Sequence, residues 1–456
     1  MGLSSRFSVL QKLRLVSKNR TNGFFGVAGF AIPSLVTFFA YPFLVRHLGL
    51  AAMGVYILGS SVTGTLAMLD LGFSAATLKF VSEDLAAGAL DEAAEVVVTS
   101  LCFYGGLGIV GAALLWFLSP LFMKTFNVDA ALHAEGISSF RIAAGQFAFF
   151  MLNSVCLAIF KAFQRFHLSA LCMSGLSVLT FGGGVAAVYW GGAGLIGLTL
   201  VSLFSSALIF IFAAFRGLRD CLASGMPLWR ARPTRRTFHR MVKFGSVLTF
   251  NSASEILMFQ GQRYLAGVLF GPASVTIYQM ASMIPYKVHS AVAALCEVLF
   301  PFVSANSEPR RIRRVYLRMI LASGGIALGG LVPLVLLRHW LLPLWLGAGT
   351  AGPVAAVLPV FALAAAIHAL GCAPYFLAYG VGKPLLNSRY SLSILAMNVL
   401  ILGGLHLTGK LSFVGLCWAF TIAQIVAVVG YHLVLEAGLW DQLVNARHLV
   451  RTVAEE

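Results

Sequence analysis

Apolar runs of about twenty residues recur along the whole chain, separated by short polar turns. They fall at 23–45, 51–75, 96–118, 141–160, 168–190, 195–215, 245–269, 273–300, 318–337, 355–379, 391–407 and 413–435. A hydrocarbon core about 30 Å thick takes roughly 20 residues of helix, so each run predicts a transmembrane helix, twelve in all. The runs are continuous instead of alternating, which argues against a membrane β-barrel. The first run follows Arg6, Lys12, Arg14, Lys18 and Arg20, as a signal peptide would. Its apolar stretch exceeds the 7–15 residues of such a peptide and no small-residue cleavage site follows, so it reads as a retained helix.

Composition agrees with this pattern. Hydrophobic residues make up 59% of the 456 and charged residues 11%, against about 25% charged in a soluble domain; the mean hydropathy is +0.88. The seven cysteines lie scattered, nearly all within apolar runs and in no metal-ligand spacing, and read as small packing residues. The net charge of +16 takes its meaning from where the charges sit. With the N-terminus inside, 25 of the 32 Lys and Arg fall on inner segments, and only Arg46, Lys124, Arg338 and Lys410 on outer loops. That asymmetry follows the positive-inside rule. It predicts both chain ends in the cytoplasm of a bacterial inner membrane, with the basic clusters touching anionic lipids and not nucleic acid.

The chain also resembles itself. At an offset of 222, Gly23 meets Gly245, Gly49 meets Gly271, Tyr56 meets Tyr278, Ser60 meets Ser282, and Phe80-Val81-Ser82 meets Phe302-Val303-Ser304; Gly197-Leu198 meets Gly415-Leu416 at 218. Two six-helix bundles in parallel repeat are expected: a basic N-tail (1–22), a first bundle (23–215), a cytoplasmic linker (216–244), a second bundle (245–435) and a C-tail (436–456). Duplicated bundles of this kind permit alternating access through a central cavity, the architecture of transporters.

Several stretches resemble a known family. Met68-Leu69-Asp70-Leu71-Gly72-Phe73-Ser74, running on to Lys79-Phe80-Val81-Ser82-Glu83, is similar to the end of the second helix of bacterial polysaccharide flippases. Leu269-Phe270-Gly271, Val275 with Tyr278, Ile284-Pro285 and Leu299-Phe300-Pro301 with Ser304 resemble that family's seventh and eighth helices, and Gly380-Val381-Gly382-Lys383-Pro384 its loop after the tenth. The resemblance is to the polysaccharide-transporter (Wzx-type) branch of the multidrug/oligosaccharidyl-lipid/polysaccharide exporter superfamily. It implies movement of a polyprenyl-pyrophosphate-linked oligosaccharide from the inner to the outer leaflet, with membrane lipids and a polysaccharide polymerase complex as partners and no cofactor.

Charges at membrane depth are costly and default to functional candidates. Arg263 and Lys287 could meet a pyrophosphate, one by a bidentate fork and the other as a point charge; the bland alternative is an ion pair with Glu255 that holds helices together. Arg46 and Arg141 could extend the cationic surface or simply snorkel to the interface. His368 could contact a proton or a sugar, or be an ordinary hydrogen-bonded histidine. Glu255, Glu297 and Asp70 are the ion-coupling candidates, the last two near enough the inner face to be anchors instead. Pro33, mid-helix, is the hinge candidate. Gln146, Asn153, Asn251, Gln260, Gln262, Asn398 and Gln424 could bind sugar hydroxyls or one another. The acidic stretch 82–95 reads as an interfacial inner helix without chemistry.

Two rival functions share the fold: a cation-coupled multidrug exporter, which would favour acidic and aromatic over cationic cavity residues, and a peptidoglycan-precursor flippase, whose family members carry two further helices. A membrane enzyme would need a catalytic outer loop. The longest one expected, 119–140, offers only Lys124, Asp129, His133 and Glu135, and the chain carries no GxSxG, HExxH, DxD or Gly-rich phosphate loop.

Overall fold

Each apolar run becomes helix, because in hydrocarbon the backbone must satisfy its own hydrogen bonds. The computed structural model describes the backbone of residues 3–455 except 71 and 307, and the side chains of residues 29, 31–70, 72–245, 258–306, 308–436 and 438. Among these the regular structure is entirely helical. The first half holds α1 (Leu3–Leu66), α2 (Phe73–Ala87), α3 (Leu90–Thr125), α4 (Ala130–Ala162), α5 (Phe166–Ser177), α6 (Gly183–Gly191) and α7 (Leu195–Ala223). Then come α8 (Arg235–Phe270), α9 (Pro272–Cys296), α10 (Leu299–Ala305), α11 (Pro309–Leu336), α12 (Arg338–Leu346), α13 (Ala348–Leu370), α14 (Cys372–Gly380), α15 (Leu385–Leu407) and α16 (Phe413–Glu455). Ten segments of the described residues are long and apolar enough to cross a membrane. The first, Ala31–Asp70, contains the non-helical Gly49.

Two compact units, Met1–Thr249 and Phe250–Glu456, divide the chain. In the first, α4 packs between α3 and α7 while α1 lies on α5; in the second, α13 packs on α9 and α16, and α15 on α16. Small polar groups tie the first unit across its helices: Tyr56 Oη to Ser202 Oγ at 3.0 Å, Ser139 Oγ to Thr199 Oγ1 at 2.9 Å, and Thr77 Oγ1 to Ser100 Oγ at 2.7 Å. Between α5 and α6 the helix opens into a π turn over Val178–Gly182.

Glycine marks equivalent places in both units. Gly49 has φ 82° and ψ 166°, and Gly271, its partner at offset 222, has φ 78° and ψ 175°. That region of backbone space is essentially open to glycine alone, so the chain turns there from one helix into the next. Element starts keep a register too: Ala130 of α4 and Ala348 of α13, like Leu195 of α7 and Phe413 of α16, lie 218 residues apart.

Two expectations need correction. The stretch 119–140 is no loop: α3 runs to Thr125 and α4 starts at Ala130, because polar residues beyond the hydrocarbon still prolong a helix. The acidic stretch 82–95 is not one helix but the end of α2 and the start of α3, broken at Gly88 with φ 73°. Pro33 lies in unbroken helical backbone; its carbonyl accepts the Thr37 hydroxyl at 2.5 Å and that of Ser177 at 3.4 Å.

Candidate functional site

Buried polar groups collect in the second unit, in two neighbouring sets. The first is a chamber of ≈ 200 Å³ with His289 of α9, His368 of α13, Cys372 of α14 and Tyr390 of α15 in its wall. α13 ends just after His368, and the step into α14 at Gly371 brings Cys372 to the same wall. The two imidazole rings stand 4.4 Å apart between centroids. His368 Nδ1 lies 3.0 Å from the Tyr390 hydroxyl, and His289 Nε2 lies 3.4 Å from Cys372 Sγ. Tyr390 stacks on Tyr431 of α16 at 4.9 Å, and the Tyr431 hydroxyl donates to Asn387 Oδ1. Two imidazoles, a phenol and a thiol give this chamber both donors and acceptors to present to a ligand. The described residues contain no group of three or more His, Cys, Asp or Glu able to hold a metal ion.

The second set surrounds Arg263. Its Nη1 donates to Gln260 Oε1 at 2.8 Å, one turn back on α8, while its Nε is buried without a hydrogen-bond partner. The guanidinium acts electrostatically on the hydroxyls of both Tyr278 and Tyr286 of α9. Among the described residues the Tyr278 hydroxyl finds no hydrogen-bond partner, while the Tyr286 hydroxyl and the fully buried Gln424 amide face one another in a loosely aligned hydrogen bond. Gln262 donates to Asn398 Oδ1 at 2.7 Å, leaving Gln262 Oε1 and Asn398 Nδ2 unpaired. Native interiors leave few such groups unsatisfied, and each calls for a water, ion or ligand. Here a guanidinium with a spare N–H acts on two tyrosine hydroxyls, a donor set that suits an oxyanion or a hydroxyl-rich ligand. Phe259 stands between the sets, edge-on to Tyr286 at 5.3 Å and to His368 at 5.7 Å.

The other candidates lie apart. Lys287 is exposed on α9, next in sequence to Tyr286, and Glu297 is exposed where α9 gives way to α10. Arg46 is exposed just before Gly49. Arg141 holds its guanidinium 5.2 Å from the centre of the Trp116 ring, its Nε buried and unpaired. Asp70 Oδ1 accepts the Ser74 backbone N–H at 3.2 Å and the Tyr104 hydroxyl, tying the start of α2 to α3. The side chains of Glu255 and Asn251 lie outside the described residues. His289, Tyr286 and Tyr390 escaped notice in sequence, since an isolated His or Tyr in an apolar run looks like ordinary core.

In the first unit the basic stretch after α7 folds back on the acidic one. Thr234 and Thr237 both donate to Glu95, Arg240 reaches Glu83 at 3.7 Å and covers the Phe80 ring at 3.9 Å, and Lys79 lies over Phe244 at 4.4 Å. Beneath them burial pushes the Asp84 carboxyl above the usual range, with Arg240 pulling the other way. Nearby Asp220, buried, joins Arg165 at 3.0 Å to Arg216 at 2.9 Å.

A family model described as "Polysaccharide biosynthesis protein" matches residues 21–307, more than half of the chain. The chain belongs to that family, the polysaccharide transporters. A relative is a Shigella flexneri protein named as a candidate O-antigen transporter, 23% identical over 372 residues that cover 79% of this chain and 85% of that protein. Among solved structures, an inward-facing multidrug resistance MATE transporter of the MOP superfamily aligns with a TM-score of 0.78 at 16% identity, over 92% of this chain and 99% of its own. The lipid II flippase MurJ, in an inward closed conformation, aligns with a TM-score of 0.68 at 13% identity, over 91% and 87%. The chain thus has the fold of these transporters and is a multi-pass protein of the bacterial inner membrane.

Proposed function

We propose that the protein is a flippase that carries a polyprenyl-pyrophosphate-linked oligosaccharide from the inner to the outer leaflet by alternating access, in the assembly of a surface polysaccharide. The family match over residues 21–307 carries this reading. The names of the relatives point the same way, one a candidate O-antigen transporter and another a lipid II flippase. The proposal includes twelve spans with both ends in the cytoplasm, as the distribution of Lys and Arg requires.

Chemistry favours the Arg263 set as the place where the polar head is met. A diphosphate or sugar leaving water loses its hydrogen bonds, at a cost of several kcal/mol per unsatisfied group. The spare donors of Arg263 and Tyr278, together with the loosely aligned Tyr286–Gln424 pair, would replace them. Lys287, Arg141 and Arg46 are further cationic contacts in this proposal, Glu255 and Glu297 couple the cycle to an ion, and a polysaccharide polymerase receives the product. His368, with His289 beside it, offers a hydrogen bond to a sugar in this proposal.

Deletion of the gene tests the reading. The mutant should lose one surface polysaccharide, accumulate the lipid-linked oligosaccharide in the inner leaflet and keep its tolerance of drugs. The MATE likeness motivates one second reading, a cation-coupled multidrug exporter. A mutant that kept its polysaccharide and became sensitive to cationic dyes would establish that reading instead.

A further inference from the structure

The step between α13 and α14 gives the histidine chamber its shape. It falls at Gly371, whose φ of −72° and ψ of −14° are open to any residue. Glycine supplies room there instead, since a Cβ would lie 3.1 Å from the His368 carbonyl oxygen and 3.2 Å from the Tyr390 hydroxyl. The sequence also puts a defect into the backbone at this step. A helical carbonyl is taken by the N–H four residues on, and for Leu370 that residue is Pro374, which has no N–H. A carbonyl left without a donor away from water is costly. His432 of α16 supplies what Pro374 lacks: its Nε2 lies 3.2 Å from the Leu370 carbonyl oxygen. A carbonyl only accepts, so this nitrogen carries the ring proton, and in the neutral ring Nδ1 is then an acceptor. The hydroxyl of Tyr316 of α11 meets it at 3.2 Å. Beside His432, the Tyr431 hydroxyl reaches the Pro374 carbonyl oxygen at 3.5 Å, and Asn387 Nδ2 of α15 donates to the Tyr375 carbonyl at 3.2 Å. Side chains of three other helices thus hold the backbone of the interruption.

We propose that His432 is a positioning residue of the candidate site. Its Nε2–H stands in for the missing N–H of Pro374, and by holding the Leu370 carbonyl it fixes the step that puts His368 and Cys372 on one wall with His289. Leu370 lies midway between His368 and Cys372 in the chain, so a turn of its peptide is passed to both. Without the histidine donor the carbonyl must turn toward another N–H or toward water, and turning it rotates the peptide plane that joins α13 to Gly371. Interrupted helices are also where transporters place their ligand sites. The link from His432 to transport rests on the flippase reading and on the chamber's place in it; the link from His432 to the geometry of the chamber does not.

Imidazole nitrogen NMR of the full-length protein, isotope-labelled at histidine, reads that geometry without substrate. His432 should show the Nε2–H tautomer. His432→Leu should shift the ring resonances of His289 and His368. His432→Gln, whose amide N–H has the same reach as Nε2, should leave them near their wild-type positions. Flipping of lipid-linked oligosaccharide in everted vesicles should follow the resonances, falling about ten-fold in His432→Leu, the worth of a hydrogen bond to a group that must have one, and staying near wild type in His432→Gln. The decisive comparison is made at Pro374. Pro374→Ala returns the ordinary N–H donor to Leu370, so adding His432→Leu to it should change neither resonances nor rate any further. Unchanged His289 and His368 resonances in His432→Leu overturn the proposal, and so does the same loss when His432→Leu is added to Pro374→Ala. A wild-type protein that flips no lipid-linked oligosaccharide would sink the flippase reading, while the resonances would still decide the role of His432.

Discussion

Gly72 is the position where one added methyl group should cost most for its size. A Cβ there would lie 2.5 Å from the carbonyl oxygen of Gly245, 2.6 Å from its Cα and 2.8 Å from its carbonyl carbon. All three are backbone atoms within α8, so no side chain can swing away to make room. Gly72 also has φ 72°, a left-handed conformation that costs an L-residue about 1–2 kcal/mol. Overpacking adds about 1–3 kcal/mol, so Gly72→Ala should destabilise the first unit by roughly 2–5 kcal/mol, a large share of a typical total of about 5–15. Gly88→Ala is the control, because Gly88 has the same left-handed conformation, φ 73° and ψ 11° against 72° and 14°, but nothing within 4 Å of a Cβ. Its cost is backbone strain alone, about 1–2 kcal/mol. Both variants can be followed by thermal unfolding of the detergent-solubilised protein and by recovery of surface polysaccharide in the deletion strain. The expected order of melting, from highest to lowest, is wild type, then Gly88→Ala, then Gly72→Ala. If Gly72→Ala melts no lower than Gly88→Ala, the contact with Gly245 does not limit stability and the steric account is refuted.

Three further outcomes follow from side-chain chemistry. Arg263→Ala should abolish most transport while Arg263→Lys keeps an intermediate rate, the charge surviving without the fork; equal, near-wild-type flipping by both in everted vesicles would remove Arg263 from the substrate path. Asp220→Asn should lower stability by about 1–3 kcal/mol, less than the 3–5 of a fully buried pair, since its arginines Arg165 and Arg216 are 34% and 28% exposed; an unchanged melting curve would refute it. Asp70→Asn keeps an acceptor for Ser74 and Tyr104 and should transport normally, whereas Asp70→Ala should lose about 1 kcal/mol of helix anchoring; a loss of proton dependence in Asp70→Asn would show coupling instead.

Apolar run length located the helices well, because hydrocarbon leaves the backbone few alternatives. It failed at their ends, as in 119–140, where amphipathic turns outside the membrane no longer advertise themselves as apolar. The motif containing Asp70 and Gly72 was visible as a pattern, but its reason was not: Gly72 answers to Gly245, 173 positions away, and Asp70 to Tyr104. Likewise His368 stood out as a membrane histidine, while His289, 4.4 Å away by ring centroids, gave no local signal. The acidic stretch 82–95 and the basic stretch after α7 were each readable as charge. That Glu95 takes the hydroxyls of Thr234 and Thr237 is a tertiary fact that composition cannot carry.

The π turn at Val178–Gly182 acts as a single-residue insertion in an otherwise α-helical rod. An in-frame deletion of any one of these residues would close the wide turn to an ordinary α turn, in which the residue that bonded five back would bond four back to the same carbonyl. Everything after it would keep its face, so Gly184, where a Cβ would sit 2.5 Å from Leu198 Cδ1, would still meet α7. The extra residue is thus slack taken up within one turn, so that this helix tolerates a change of length there without turning its small side away from α7.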